Sequence, residues 1–334
     1  MRFSVRFNND LPVGIYPELA RRAEQAGFNA FWVSDDLFLR SVWIILAAAA
    51  QATSRIQLGT CIVNPYTQHP AEIAMAAATL DELSGGRALL GISSGADDFL
   101  GWVGIRAEHP VTVVSETIGA LRRLFDGTAE HPTGRFLGEW SNEAYLRFAA
   151  RRIPIYVGAM SPRMLGLIGS HADGGLPLLF PPEDFAEALG HIRQGAVAAA
   201  RDLSEVDVAA CIWCSVASDR RSAERALREK IAYYGHALSA RILDRLGVAR
   251  AEFDPIQRAM MVDRDPERAM AMVTPKMLRI GVVGSADDLI PRLEGLVASG
   301  ARHLSFGPPL GPDPLQALDV LGRHVLPRFA PLSD

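Results

Sequence analysis

Several short stretches of this chain set residues with chemistry to offer beside small ones. Two adjacent carboxylates, Asp35 and Asp36, follow the apolar run Ala30–Ser34. Like charges held that close push one pKa up, which makes an acid or base usable near neutral pH. The same pair could equally be a solvated strand end that caps the next segment of chain. Arg6 stands in the first apolar run. It can hold an anionic group such as a carboxylate, or pair with Asp35 or Asp36 at a rim, and the two readings are compatible.

Three further stretches offer backbone. In Gly91-Ile92-Ser93-Ser94-Gly95-Ala96 the small residues let main-chain N–H groups approach a flat ligand, although a glycine pair after a strand is often only a turn. In Gly158-Ala159-Met160-Ser161-Pro162-Arg163, Ser161 can cap a helix with Pro162 at its first position. The free N–H groups there form a natural phosphate cradle, whose plain alternative is a well-capped structural helix. Thr60-Cys61-Ile62-Val63 ends another apolar run before Asn64-Pro65.

Other chemistries find no support. There is no Walker loop or G-x-G-x-x-G fingerprint. The eight histidines are scattered without H-E-x-x-H or a ligand cluster, so no metal site is expected. No Gly-x-Ser-x-Gly elbow is visible. Cys211 and Cys214 are formally C-x-x-C, but a strand turns positions three apart to opposite faces. His236 stands in a long insertion and could overhang a site.

The elements that must position these residues alternate. Strand candidates are Phe3–Phe7, Ala30–Ser34, Ile56–Val63, Ala88–Ser93, Ile153–Val157, Gly175–Phe180, Asp207–Val216 and His303–Phe306. Their nearly continuous apolar character fits strands covered on both faces. Helical spacing fills the gaps at Pro17–Ala26, Ala71–Leu83, Val114–Phe125, Glu183–Arg201, Ser285–Ser299 and Asp313–Leu326. Eight strand–helix units predict an α/β fold closed into a (β/α)8 TIM barrel, with a doubly wound open sheet as second choice. We expect a single domain over 1–334 with insertions near 126–151 and 220–278, the second mainly helical at Ser222–Tyr234, Ala240–Leu246 and Pro255–Met272.

Composition narrows the class. The chain has 334 residues, is 49% hydrophobic and carries a formal net charge of −4, which argues against a nucleic-acid binder. Three cysteines are too few and odd for a disulfide framework. The N-terminus, with Arg2 and Arg6, lacks a signal-peptide core, and the longest apolar stretch, Val42–Ala50, is too short to span a membrane. The expectation is a cytoplasmic protein.

The run from His69-Pro70 through Asp81-Glu82-Leu83-Ser84-Gly85-Gly86-Arg87 to Gly91-Ile92-Ser93-Ser94-Gly95 resembles the luciferase-like monooxygenase superfamily. Within it, Trp32-Val33-Ser34-Asp35, Asn64-Pro65-Tyr66, Ile153 to Ala159 and Gly307 to Asp313 are most similar to the F420-dependent methylenetetrahydromethanopterin reductases. The pieces run end to end in order. The resemblance implies coenzyme F420, or FMN as alternative, at the C-terminal strand ends. It implies a homodimer and a cis peptide bond at Cys61–Ile62 behind the ring. It places Ser34, Thr60, Cys61, Ile62, Val63, Ser93, Ser94, Gly95, Ala96, Gly158, Ala159, Met160 and Ser161 at the cofactor. Asp35, Asp36 and Arg6 would then be the catalytic set.

The chain also departs from that family. It carries Asp36 where the family commonly has His, Arg6 where the reductases have Glu, and Ala96 where they have Asp. The implied reaction is hydride transfer between F420 and a small substrate of imine or conjugated-alkene type, anionic if Arg6 binds it, and not the pterin. The alternatives are a reduced-FMN monooxygenase using O2 and a non-catalytic relative.

Overall fold

The structure is a computed structural model and describes residues 1–127 and 133–329. Twelve strands are present among these residues: β1 (Arg2–Phe7), β2 (Ala30–Val33), β3 (Gln57–Thr60), β4 (Ala88–Ile92), β5 (Thr133–Gly134), β6 (Gly138–Glu139), β7 (Ile155–Ala159), β8 (Gly174–Pro177), β9 (Asp207–Ile212), β10 (Cys214–Val216), β11 (Val282–Gly284) and β12 (His303–Phe306). Eight of them close a barrel in the order β1-β12-β9-β8-β7-β4-β3-β2, every pairing parallel. Each of the eight strand candidates in the sequence supplies one of these staves.

Strand alternation sorts the side chains. On β1, Phe3, Val5 and Phe7 join the shell beneath the helices, while Ser4 and Arg6 bond across to Ser305. A second cluster contains Ala30, Trp32, Leu89, Tyr156, Leu176, Ala209 and Cys211. Here large side chains sit opposite glycines. Trp32 is in register with Gly59, and Tyr156 with Gly174. A Cβ at Gly59 or Gly174 would lie 2.2 Å from the neighbouring ring. Large-against-small pairing is how a barrel of this size fills its centre.

Capping sets the helix starts. Ser161 accepts from the Met164 N–H at the head of helix Pro162–His171. Asp313 does the same for Pro314–Val320. Gly85, at φ +67°, ends helix Pro70–Ser84 in the left-handed conformation that glycine adopts without strain.

Two expectations change, and one helix is added. The stretch expected as one strand over Asp207–Val216 breaks at Trp213. Only β9 belongs to the barrel, and β10 pairs with β11 outside it. The helix expected over Pro255–Met272 divides, because Asp265 and Pro266 cap and start a new helix, Pro266–Met272. A short helix, Asp97–Trp102, follows β4 without having been expected. The 220–278 insertion forms a hydrophobic cluster of its own around Leu227, Ile231, Phe253 and Met277. No helix among the described residues is long and apolar enough to cross a membrane.

Candidate active site

A cavity of about 340 Å³ opens at the C-terminal ends of the barrel strands. Its wall takes residues that follow every stave: Asn8 after β1, Ser34–Leu37 after β2, Cys61 and Ile62 after β3, Ser93–Ala96 after β4, Met160 and Ser161 after β7, Leu178 after β8, Trp213 after β9 and Pro308 after β12. Parallel closure makes this convergence compulsory, because all eight chains leave the barrel on the same side. Arg6, Asp35 and Asp36 reach the cavity, as do Gly158 and Ala159. Thr60 and Val63 do not. Thr60 is fully buried, and its hydroxyl donates to the Gly91 carbonyl at 2.8 Å and accepts from the Gly91 N–H at 3.0 Å. Val63 bridges to Ile92. These two hold the wall from behind.

The Cys61–Ile62 peptide bond is cis. Behind it, burial holds the Cys61 thiol up to about 12, so it stays protonated and is no nucleophile. On the neighbouring staves, Ser93 Oγ donates to the Gly158 carbonyl at 2.7 Å. A Cβ at Gly158 would lie 3.0 Å from Ile62 Cγ2. Ser93, Gly158 and Ile62 thus form one close-set apolar and main-chain surface. Ser161 caps the helix beside it, while Met160 is half exposed at the edge.

Arg6 is buried, and carbonyls hold it. Its Nη2 donates to Ile212 O at 2.7 Å and Gly307 O at 3.3 Å, and its Nε to Ser305 Oγ at 3.2 Å. The rim ion pair with Asp35 or Asp36 does not form; no carboxylate pairs with Arg6 among the described residues. A guanidinium whose charge meets only dipoles remains able to take an anion.

The two carboxylates occupy different surroundings. Burial raises Asp35 to about 6, the Asp36 charge adds to this, and bonds from the Val42 N–H and the Gln68 amide oppose it. Burial also raises Asp36, against the pull of Lys230 and the donors Ser34 Oγ at 3.3 Å and Tyr234 OH at 3.4 Å.

Lys230 and Tyr234 escaped the sequence reading. Both lie on helix Arg220–Tyr234, the first of the insertion, which folds back over the barrel mouth. One signal was available: of 34 basic residues only two are lysines, Lys230 and Lys276, so a lysine here is a departure from the chain's habit. His236 lies outside the cavity wall. Its Nε2 meets Asp98 Oδ2 at 3.2 Å, tying the insertion to helix Asp97–Trp102. Cys211 and Cys214 are both buried and unpaired. No cluster able to hold a metal occurs among the described residues.

The sequence matches the model of the luciferase-like monooxygenase family over residues 12–303. It is 33% identical to the 5,10-methylenetetrahydromethanopterin reductase of Methanolobus tindarius, covering 98% of this chain and 100% of that protein. It is 28% identical to the F420-dependent glucose-6-phosphate dehydrogenase of Nakamurella multipartita, covering 94% of this chain and 92% of that protein. The solved structure of the coenzyme F420 dependent tetrahydromethanopterin reductase from Methanopyrus kandleri is similar with a TM-score of 0.92 and 29% identity, covering 98% of this chain and 99% of that one. A match over most of the chain, carried by both sequence and fold, fixes the assignment: this protein belongs to the luciferase-like monooxygenase family.

Proposed function

We propose that this protein is a coenzyme F420-dependent oxidoreductase acting on a small anionic substrate of imine or conjugated-alkene type, and not on methylenetetrahydromethanopterin. The observation that carries the reading is the pairing of the close-set apolar and main-chain surface of Ile62, Ser93 and Gly158 with a buried Arg6 that no carboxylate pairs, in one cavity. Relatives named as F420-dependent support the cofactor.

The residues fit such a group. Gly158 leaves open the space that a side chain would fill against Ile62. The Cys61–Ile62 edge and Ser93–Ala96 would back the ring. Gly158–Ser161, with main-chain donors at the helix start, would take the phosphate. Ser34 would stand at the ring edge. When bound, the reduced deazaflavin supplies a hydride from its C5 carbon. The protein orients the acceptor and manages protons. Arg6 would fix the substrate's anionic group by charge-assisted hydrogen bonds, holding the electrophilic carbon over the ring site. Asp35 and Asp36 stand beside it as acid–base groups, and the helix carrying Lys230 and Tyr234 covers the site from above.

The substitution of Arg6 and Ala96 for the acidic residues of the pterin reductases supports a different substrate. The test is equilibrium binding of F420 and of reduced FMN to the apo-protein at matched concentration, followed by oxidation of reduced F420 with pyrroline carboxylate, a cyclic imine whose C=N carbon bears the acid. F420 binding with turnover supports the reading. Preference for reduced FMN, with O2 uptake, overturns it.

A further inference from the structure

We propose that Lys230, on the first helix of the insertion, is the residue that delivers the proton to the substrate. The inference rests on the hydride-transfer reading above and assigns its acid.

An ammonium has three N–H bonds. Lys230 Nζ uses one, a long contact of 3.4 Å to Asn8 Oδ1. Its other near neighbours are aromatic faces: the Tyr234 ring centroid lies 4.1 Å away and that of Trp213 5.8 Å. Ring faces hold a cation without accepting its proton along a defined bond. N–H bonds therefore remain for a substrate in the cavity that Lys230 lines.

The competing acids are placed differently. Asp35 accepts from Gln68 and the Val42 N–H. Asp36 accepts from Ser34 and from Tyr234. Burial raises both carboxyls, yet Asp35, at about 6, is still mostly ionised at pH 7, and each already accepts two hydrogen bonds. Tyr234 already gives its hydroxyl hydrogen to Asp36, and burial drives its pKa far upward, which makes it a poor acid.

The charges facing Lys230 come from three elements. Asp10, beyond β1, and Asp36, after β2, favour the ammonium, while Arg6, on β1, opposes it. Burial outweighs them and brings the group down to about 8. At pH 7 the amine is then mostly protonated, yet its pKa lies near the working pH, where proton transfer is efficient.

The step balances. One Lys230 N–H bond breaks, and its proton bonds to the substrate's imine nitrogen, or to the α-carbon of a conjugated acceptor, through the electron pair released there. The two electrons of reduction come from reduced deazaflavin as hydride to the adjacent carbon. Lys230 is left neutral and recovers a proton from water at the cavity mouth. Tyr234 is a positioning residue.

The chain's two lysines make the test direct. Full-length protein is labelled with an amine-reactive acetylating reagent between pH 6 and 11, with and without F420, and read peptide by peptide. F420 fluorescence in the same samples reports binding. The expected result is a Lys230 rate that levels off above about pH 8, where an ordinary lysine keeps rising to about 10.4. Bound F420 should slow Lys230 and leave exposed Lys276 unchanged. A Lys230 profile that rises like an ordinary lysine overturns the proposal, as does labelling untouched by bound F420. Absence of F420 binding instead overturns the cofactor reading, with the acid role that rests on it, even where the Lys230 titration is as expected.

Lys230→Arg keeps the charge but cannot release the proton. With reduced F420 and pyrroline carboxylate it should keep KM within about threefold and lose about 100-fold in kcat, the usual scale for an absent general acid. An unchanged kcat would reduce Lys230 to a charge and sink the proposal. Failure of the wild-type protein to turn over the imine would count against the substrate class, leaving the labelling to decide on Lys230.

Discussion

Arg6 Nη2 donates to the Ile212 main-chain carbonyl across 2.7 Å, so a cation of β1 is anchored by the end of β9 rather than by an acid. The bond fixes where the charge sits without cancelling it. Arg6→Leu should therefore raise KM for an anionic imine or alkene by about 100-fold, the scale of a lost charge-assisted hydrogen bond in a dry site. F420 affinity should stay within about threefold. Arg6→Lys should recover little, because one ammonium cannot span Ile212, Ser305 and Gly307 as the guanidinium fork does. Steady-state kinetics beside a fluorescence titration of F420 would separate the two effects. Equal losses in both would show that Arg6 serves the cofactor.

Two glycines facing the same wall should behave oppositely. At Gly158 an added methyl meets Ile62 Cγ2 at 3.0 Å and Ser93 Cβ at 3.5 Å, side chains that can give a little. Gly158→Ala should fold, melt within a few degrees of the parent and bind F420 about tenfold more weakly. At Gly91 the methyl would lie 2.1 Å from the Thr60 carbonyl, within the β3–β4 wall. Backbone cannot move aside without breaking the ladder, so Gly91→Ala should cost about 3 kcal/mol or more. Thermal melts and F420 titrations of the two variants check both statements.

Asp35 gives a pH dependence with a definite sign. Burial first, and the Asp36 charge second, raise its pKa from 3.8 to about 6. Between those values the folded protein holds a proton that the unfolded chain has released. The contribution to stability is complete below about pH 3.8 and is lost as pH rises through 6. Asp35→Asn removes that loss and keeps an acceptor for Gln68. It should stabilise the protein by on the order of 1 kcal/mol at pH 8, discounted for partial exposure, with the advantage shrinking toward pH 4. Calorimetry of both proteins from pH 4 to 8 would show it, and a constant difference would contradict it.

The barrel was legible because strands covered on both faces are largely apolar, as Ala30–Ser34 and Ile153–Val157 are, and they alternate with helical spacing. The site loops were legible because parallel closure sends every strand end to one face, so Asp35, Ser93 and Gly158 had to meet. What failed was local. The apolar run through Trp213 hid the exit of β10 from the barrel, since periodicity carries no record of which partner a strand takes. Asp97–Trp102 is too short to show a helical period. Lys230 looked like any solvated charge on an amphipathic helix, and only the fold of the insertion turns it toward the cavity. Arg6 was identified, but its partners are carbonyls, which no sequence pattern announces.

The mouth supplies the last test. His236 Nε2 and Asp98 Oδ2 meet at 3.2 Å, joining the insertion to the short helix after β4. Beneath that contact, Phe99 and Trp102 pack at 4.9 Å, and Trp102 faces Phe38 at 6.1 Å. The pair is largely exposed on the Asp98 side, so it adds little to global stability. Its consequence should be kinetic, since it joins two segments that both line the cavity. Asp98→Ala should leave the melting temperature within about 2 °C and quicken F420 dissociation several-fold in stopped-flow displacement. The change should fall mainly on the off-rate, where interactions within a closed site are usually felt. An unchanged off-rate would mean that the insertion and the short helix move apart freely, and that release is governed by the cavity wall alone.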